Sequence, residues 1–256
     1  MVQRIRTALF TAALLALSGG SARTTKAQTP VLELDHVFIV VPRGAAEAVH
    51  ALRQVGLVVD TSVTRHTGQG TASVAAFFEN AYLELLWVDP SVAVDSAHRL
   101  GLADFVRAEA WRRSGASPFG VGLHFLSGTP ADLGIPTRLD SAERMRPGTA
   151  YVLLRQPEES LAVDLFITPD YLAVTSWLDP YMSKRPDLFS HPMGVRRLTR
   201  VRIRGQPSQI PRAALLETRL VGFEEAGSPL LVLEFDGGHR GQVWDLRPAL
   251  PLVLQH

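Results

Sequence analysis

His36 and His124 each sit in a short apolar run, and each is followed downstream by a carboxylate in a second apolar run. The first pair is His36, within Leu34-Asp35-His36-Val37-Phe38-Ile39-Val40-Val41-Pro42, and Glu84, within Tyr82-Leu83-Glu84-Leu85-Leu86-Trp87-Val88. The second is His124, within Gly122-Leu123-His124-Phe125-Leu126-Ser127-Gly128-Thr129-Pro130, and Asp164, within Leu161-Ala162-Val163-Asp164-Leu165-Phe166-Ile167. In both copies a proline lies six residues after the histidine, and the carboxylate follows 48 residues on in one and 40 in the other. Imidazole nitrogens and carboxylate oxygens are metal donors, and two of each suit Zn, Fe, Mn, Co or Ni better than Ca or Mg. A duplicated unit can bring two such pairs together across a pseudo-twofold axis. His36, Glu84, His124 and Asp164 are therefore candidate ligands of one divalent transition metal. A blander fate stays open for each. A strand histidine is often a satisfied core residue, and either acid can pair with an arginine such as Arg155 or Arg146.

These side chains need strands to present them. The segment 32–41 is rich in Val, Ile and Phe and reads as a strand on which His36 shares a face with Leu34, Phe38 and Val40. Ala45, Ala46, Val49, Leu52 and Val55 recur at helical spacing, with Gly56 as the stop. Strands are expected at 57–64, 71–78 and 81–88, with the loop His66-Thr67-Gly68-Gln69-Gly70 between the first two. A helical stretch over 91–113 follows. The second copy repeats the order: a strand through His124, a helical piece near 131–139 interrupted by Pro136, and strands at 150–155 and 161–168. A Pro-rich, irregular stretch spans 171–193. A third, partial copy has a strand at 198–203, a helix over 211–220, and strands at 230–235 and 241–246 joined through Gly237-Gly238. There Arg200 stands where the first copy has His36, and a guanidinium has no lone pair to offer a metal.

This organisation implies an α+β fold: paired βαβββ modules forming a curved mixed sheet around a cleft, with a third partial module at the C-terminus. The expected boundaries are 1–27 for a leader, 31–90 for module one and 91–118 for a helical connection. Module two covers 119–170, a connection or flap 171–197, and the partial module 198–256. The leader reading rests on Arg4 and Arg6, the apolar run from Ala8 to Leu17 and the small residues after it. That run is too short to span a bilayer. The mature protein is expected to be secreted or periplasmic, with no stable membrane insertion once the leader is removed.

Composition excludes several classes. The 256 residues contain no cysteine, so disulfide frameworks and thiolate metal sites are absent. A net charge of +1 with 20% charged residues makes no case for nucleic acid. The basic run 196–204 alternates with apolar residues from Leu198 onward, the pattern of a half-buried strand with a solvated face.

The segments Leu34-Asp35-His36-Val37, His66-Thr67-Gly68-Gln69-Gly70-Thr71 and Tyr82-Leu83-Glu84-Leu85-Leu86 together resemble the glyoxalase-like domain of the vicinal-oxygen-chelate superfamily. Ser190-His191-Pro192-Met193-Gly194 is similar to a further motif in such bacterial proteins. The resemblance covers residues from about 32 to 252 and is weaker in the C-terminal third. It implies a cleft around a divalent ion held by His36 and Glu84 from module one and His124 and Asp164 from module two. Asp164 stands where glutamate is usual and is one methylene shorter. The implied chemistry is chelation of two neighbouring oxygens of a small substrate by a Lewis-acid metal, with Glu84, or else Asp164, as catalytic base. A lyase or isomerase reaction would follow. Two histidines with one acid would instead make the facial triad of an iron oxygenase. His66 and His191 are candidate substrate contacts. A non-catalytic small-molecule binder on the same fold is the alternative, and a homodimer is a further expectation.

Overall fold

The computed structural model describes residues 30–95, 99–141, 145–213 and 219–256. The expected leader lies outside them. Module one comprises β1 (Val31–Val40), α1 (Ala46–Gln54), β2 (Asp60–His66), β3 (Thr71–Phe77) and β4 (Tyr82–Val88). The connection carries α2 (Arg99–Glu109) and α3 (Trp111–Ser114). Module two comprises β5 (Phe119–Ser127), β6 (Arg138–Asp140), β7 (Tyr151–Leu153) and β8 (Asp164–Ile167). A short helix, α4 (Leu178–Lys184), marks the next connection. The remainder adds β9 (Leu198–Gly205), β10 (Val221–Glu225), β11 (Leu230–Phe235), β12 (Val243–Asp245) and β13 (Leu252–Gln255).

Among the described residues the strands form two sheets. The larger runs β2-β3-β4-β1-β5-β8-β7-β6, so the two modules meet where β1 pairs antiparallel with β5. Within each module the first strand is parallel to the last, β1 to β4 and β5 to β8. The chain is thus an α+β protein built from paired modules. The smaller sheet runs β10-β9-β11-β13-β12.

Alternation sorts the two faces of the large sheet. Val37 and Ile39 of β1, with Leu83 and Leu85 of β4 and Val121 and Leu123 of β5, enter the main core with Val201, Ile203, Leu231 and Leu233 of the smaller sheet. Phe38, Val40, Leu86 and Phe166 face the other way and pack with Ala108 and Phe105 of α2. α1 buries Ala48, Val49 and Leu52 and ends where Gly56 takes a φ of +87°. A side chain at Gly56 would also press on the Met193 backbone nitrogen at 3.0 Å, so both conformation and space call for glycine there.

Several expectations change. Leu34 does not share the face of His36: pairing slips between Leu34↔Leu123 and His36↔Gly122, and this bulge at Asp35 reverses the parity. Leu34 therefore lies in the main core. His66 is the last residue of β2, not a loop residue. Residues 91–95 are not helical, because Asp89 Oδ1 accepts from the Ser91 N–H and hydroxyl, and the Asp95 N–H is tied to Gly68 O. The helical piece of module two shrinks to a 3-10 turn at Pro130–Leu133 followed by β6, as expected where Pro136 denies a helix its next hydrogen bond. The irregular stretch contains α4 and two 3-10 turns, Val174–Ser176 and Pro186–Phe189. β11 and β12 do not form a hairpin. β13, with Leu252 and Leu254 fully buried, runs between them. The helix expected over 211–220 falls largely on residues outside those described.

A candidate active-site cleft

The face of the large sheet that carries Phe38 and Phe166 forms, with α2, a cavity of about 490 Å³. His36, His66, Glu84 and Asp164 all line it. His124 and His191 do not.

On the module-one side, β4 presents Glu84, which is 8% exposed. His66 Nε2 lies 3.2 Å from Glu84 Oε1 and 3.0 Å from the Ser73 hydroxyl, a row running across β2, β3 and β4. Burial works to raise the Glu84 carboxyl. The hydrogen bond and charge of His66, with the charge of His36 and the Ser73 hydroxyl, outweigh it and hold the group at about 2. Glu84 thus stays ionised at neutral pH and is a weak base. Its depressed value stabilises the fold above the unfolded value of 4.5, a contribution lost as pH falls toward 2. In urea unfolding, the advantage of the wild type over Glu84→Gln should therefore shrink by about 2 kcal/mol between about pH 5 and about pH 3.

His36 is clamped on its faces. Its ring stacks on Tyr82 at 4.7 Å and 12° and meets Phe166 at 5.4 Å. Its Nδ1 is 2.5 Å from Asp35 Oδ1. Burial disfavours the imidazolium, but the adjacent Asp35, then Glu84 and Asp164, raise the pKa above its ordinary value.

On the module-two side, Arg155 Nε lies 3.3 Å from Asp164 Oδ1 and its terminal nitrogen 2.7 Å from Asp104 Oδ2 on α2. Asp164 thus meets one of the two arginines considered for it. Burial, reinforced by Asp104 and Asp140, still lifts its carboxyl above the usual range against the pull of Arg155.

His124 lies beyond the cleft. Its Nδ1 is 2.8 Å from Glu33 and its Nε2 3.1 Å from Asp170. The strand register explains the separation. Glu84 sits opposite Phe38, two residues after His36, whereas Asp164 sits opposite Gly120, four residues before His124. Four residues of strand amount to about 13 Å. The two His/acid pairs are equivalent in sequence and not in register. Moreover, β5 turns Gly120 and Gly122 toward the cleft, and a Cβ there would lie 2.1 Å from the Phe38 ring and 2.8 Å from the His36 ring. Module one's side chains fill the space that module two's would need.

The four expected donors, as arranged, do not fit one ion: both nitrogens of His124 are engaged elsewhere and Asp164 is held by Arg155. No group of three or more His, Asp or Glu side chains suited to a metal occurs among the described residues.

His191 is a structural clamp. It accepts from the Val58 N–H at Nδ1 (3.0 Å), and its Nε2 donates to Phe77 O (2.8 Å), which fixes one neutral tautomer. Burial lowers its pKa accordingly. His191→Ala would leave two backbone groups unsatisfied and should cost about 3 kcal/mol in urea unfolding. The sequence offered no sign of Arg155 and Asp104 as a cleft pair, because their link spans separate elements.

A crystal structure of a hypothetical protein from Staphylococcus aureus is similar at 10% identity over 88% of this chain and 98% of that one, with a TM-score of 0.47. No curated protein matches the chain. Residues 34–119, which hold most of β1 and all of β2 to β4 with His36, His66 and Glu84, match the family model described as a glyoxalase-like domain. Over those residues, about a third of its length, the chain is thus similar to a glyoxalase-like domain.

Proposed function

We propose that the cleft is the active site of an enzyme that moves a proton on a small molecule with adjacent oxygens, in a lyase or isomerase reaction, with His36 as the acid–base group. The observation that carries this reading is that His36 and the Glu84–His66 pair line one cavity walled by Phe38, Phe105, Tyr151 and Phe166. Its volume is in the range that suits small ligands. With Nδ1 engaged by Asp35, His36 has Nε2 left to accept or return a proton. A raised histidine pKa lies nearer the working range of an acid–base catalyst than a carboxyl held at about 2. Glu84 then contributes fixed negative charge that stabilises the imidazolium formed when His36 takes a proton. His66 holds that carboxylate in place.

Acid–base work by His36 does not require a divalent metal at the four-donor position. An iron-oxygenase triad would need His124 beside His36. The same aromatic walls favour a second reading, a binding protein that holds its ligand without turnover. The leader-like start supports a secreted or periplasmic setting for either.

Proton exchange separates them. The purified protein is incubated in D2O with a panel of α-hydroxy ketones, 2-hydroxy acids and 1,2-dicarbonyl compounds, and the C–H signals are followed by NMR. Catalysed loss of a C–H signal beside an oxygenated carbon supports the enzyme. Saturable binding without exchange supports the binder. Neither exchange nor binding across the panel would overturn both.

A further inference from the structure

We infer that Asp35 is the positioning residue of this site: it fixes the His36 ring with its proton on Nδ1 and its Nε2 lone pair toward the cleft, and Thr168 of module two and Val174 of the connection that follows hold it in place to do so. The inference rests on the reading of His36 as the acid–base group.

Consecutive residues on a regular strand point to opposite faces. Asp35 and His36 do not, because the bulge between Leu34 and His36 inserts Asp35 as an extra residue in β1. The bulge brings the two side chains within 2.5 Å. Asp35 is 1% exposed, so its carboxyl needs partners. Two of them come from the far side of the module boundary: the Val174 N–H donates to Oδ2 at 2.6 Å, and the Thr168 hydroxyl lies 3.3 Å from Oδ1. Thr168 follows β8, and Val174 opens the 3-10 turn just beyond it.

The ring has little freedom left. Tyr82 covers one face, Phe166 sits against it, and the Gly122 position leaves room only for a hydrogen. Asp35 then determines which nitrogen carries the proton, since a carboxylate accepts and cannot donate. An asparagine of the same size would reverse this. The Val174 N–H demands an oxygen on its side, so the amide NH2 would fall beside His36 Nδ1 and drive the proton to Nε2. A carboxylate that merely pinned residues 168–174 would leave the tautomer indifferent to this change.

The test is the histidine ring 15N spectrum of the full protein in alkaline buffer, with His36 assigned by the peaks lost in His36→Gln. In the wild type, Nδ1 is expected to be protonated and Nε2 to have the downfield shift of a bare nitrogen. In Asp35→Asn the two are expected to exchange, while the His191 signals stay in place. A proton on Nε2 in the wild type, or an unchanged His36 in Asp35→Asn, overturns the inference. Should Asp35→Asn fail to fold, the wild-type spectrum alone decides. The measurement needs no substrate, so a failure to find turnover leaves its result standing.

Discussion

Arg155→Met is expected to destabilise the protein by about 3 kcal/mol, because it leaves Asp164 without its cation and still facing Asp104, which keeps Arg107. Arg155 is 12% exposed at its side chain, and Asp164 and Asp104 are 28% and 27% exposed. The pair is buried enough for removal of one partner to cost far more than at the surface, and wet enough to keep the loss at the low end of the buried range. Methionine keeps most of the volume, so the effect is chiefly electrostatic. Its pH dependence gives the signature. The Asp164 carboxyl is already raised by burial and by Asp104 and Asp140. Without Arg155 it rises further, and protonation then relieves the repulsion. The deficit in urea unfolding should therefore be largest near neutral pH and shrink as pH falls through the carboxyl range. Arg155→Met combined with Asp164→Asn should recover part of the loss. A deficit that does not change with pH would show that the arginine acts through packing alone.

His36→Gln is expected to lower the rate of proton exchange on a competent substrate by about a hundredfold to ten-thousandfold, the range lost when a positioned acid–base group is removed. Glutamine fills similar space and hydrogen-bonds but does not take up a proton near neutral pH. The variant should bind the substrate with little change, since the Phe38, Phe105, Tyr151 and Phe166 walls remain. The loss thus falls on turnover and not on affinity. Equal losses in both would point to a collapsed cleft, which the unfolding curve of the same variant reveals.

Much of the fold was legible in the residues. Short apolar runs, buried almost continuously in the structure, marked β1, β3 and β4, and the helical recurrence ending at Gly56 marked α1. β13 was hidden because Pro248 and Pro251 both lie just before its short apolar run, and proline argues against a central strand. The site was legible in part. His36 and Glu84 each declared themselves as polar residues in apolar strands, a placement that costs free energy without a partner. The bulge at Asp35 was not legible, because nothing in Leu34-Asp35-His36 marks an extra residue, yet it decides which face Leu34 takes. Nor was the register that separates His124 from Asp164. Equal spacing from histidine to proline fixes where a histidine sits in its own strand. It does not fix which residue of the neighbouring strand stands beside it, and that pairing places Gly122, not His124, against His36. Gly120 and Gly122 carried the available hint, as two glycines on the cleft side of a strand that must let another side chain lie across it.

The most direct test is the D2O exchange rate measured side by side for wild type, His36→Gln and His124→Gln. An acid–base site centred on His36 predicts that exchange collapses in the first variant and largely survives in the second, whose ring is held by Glu33 and Asp170 outside the cleft. Equal collapse in both, with both proteins folded, would contradict it and return His124 to the reacting centre.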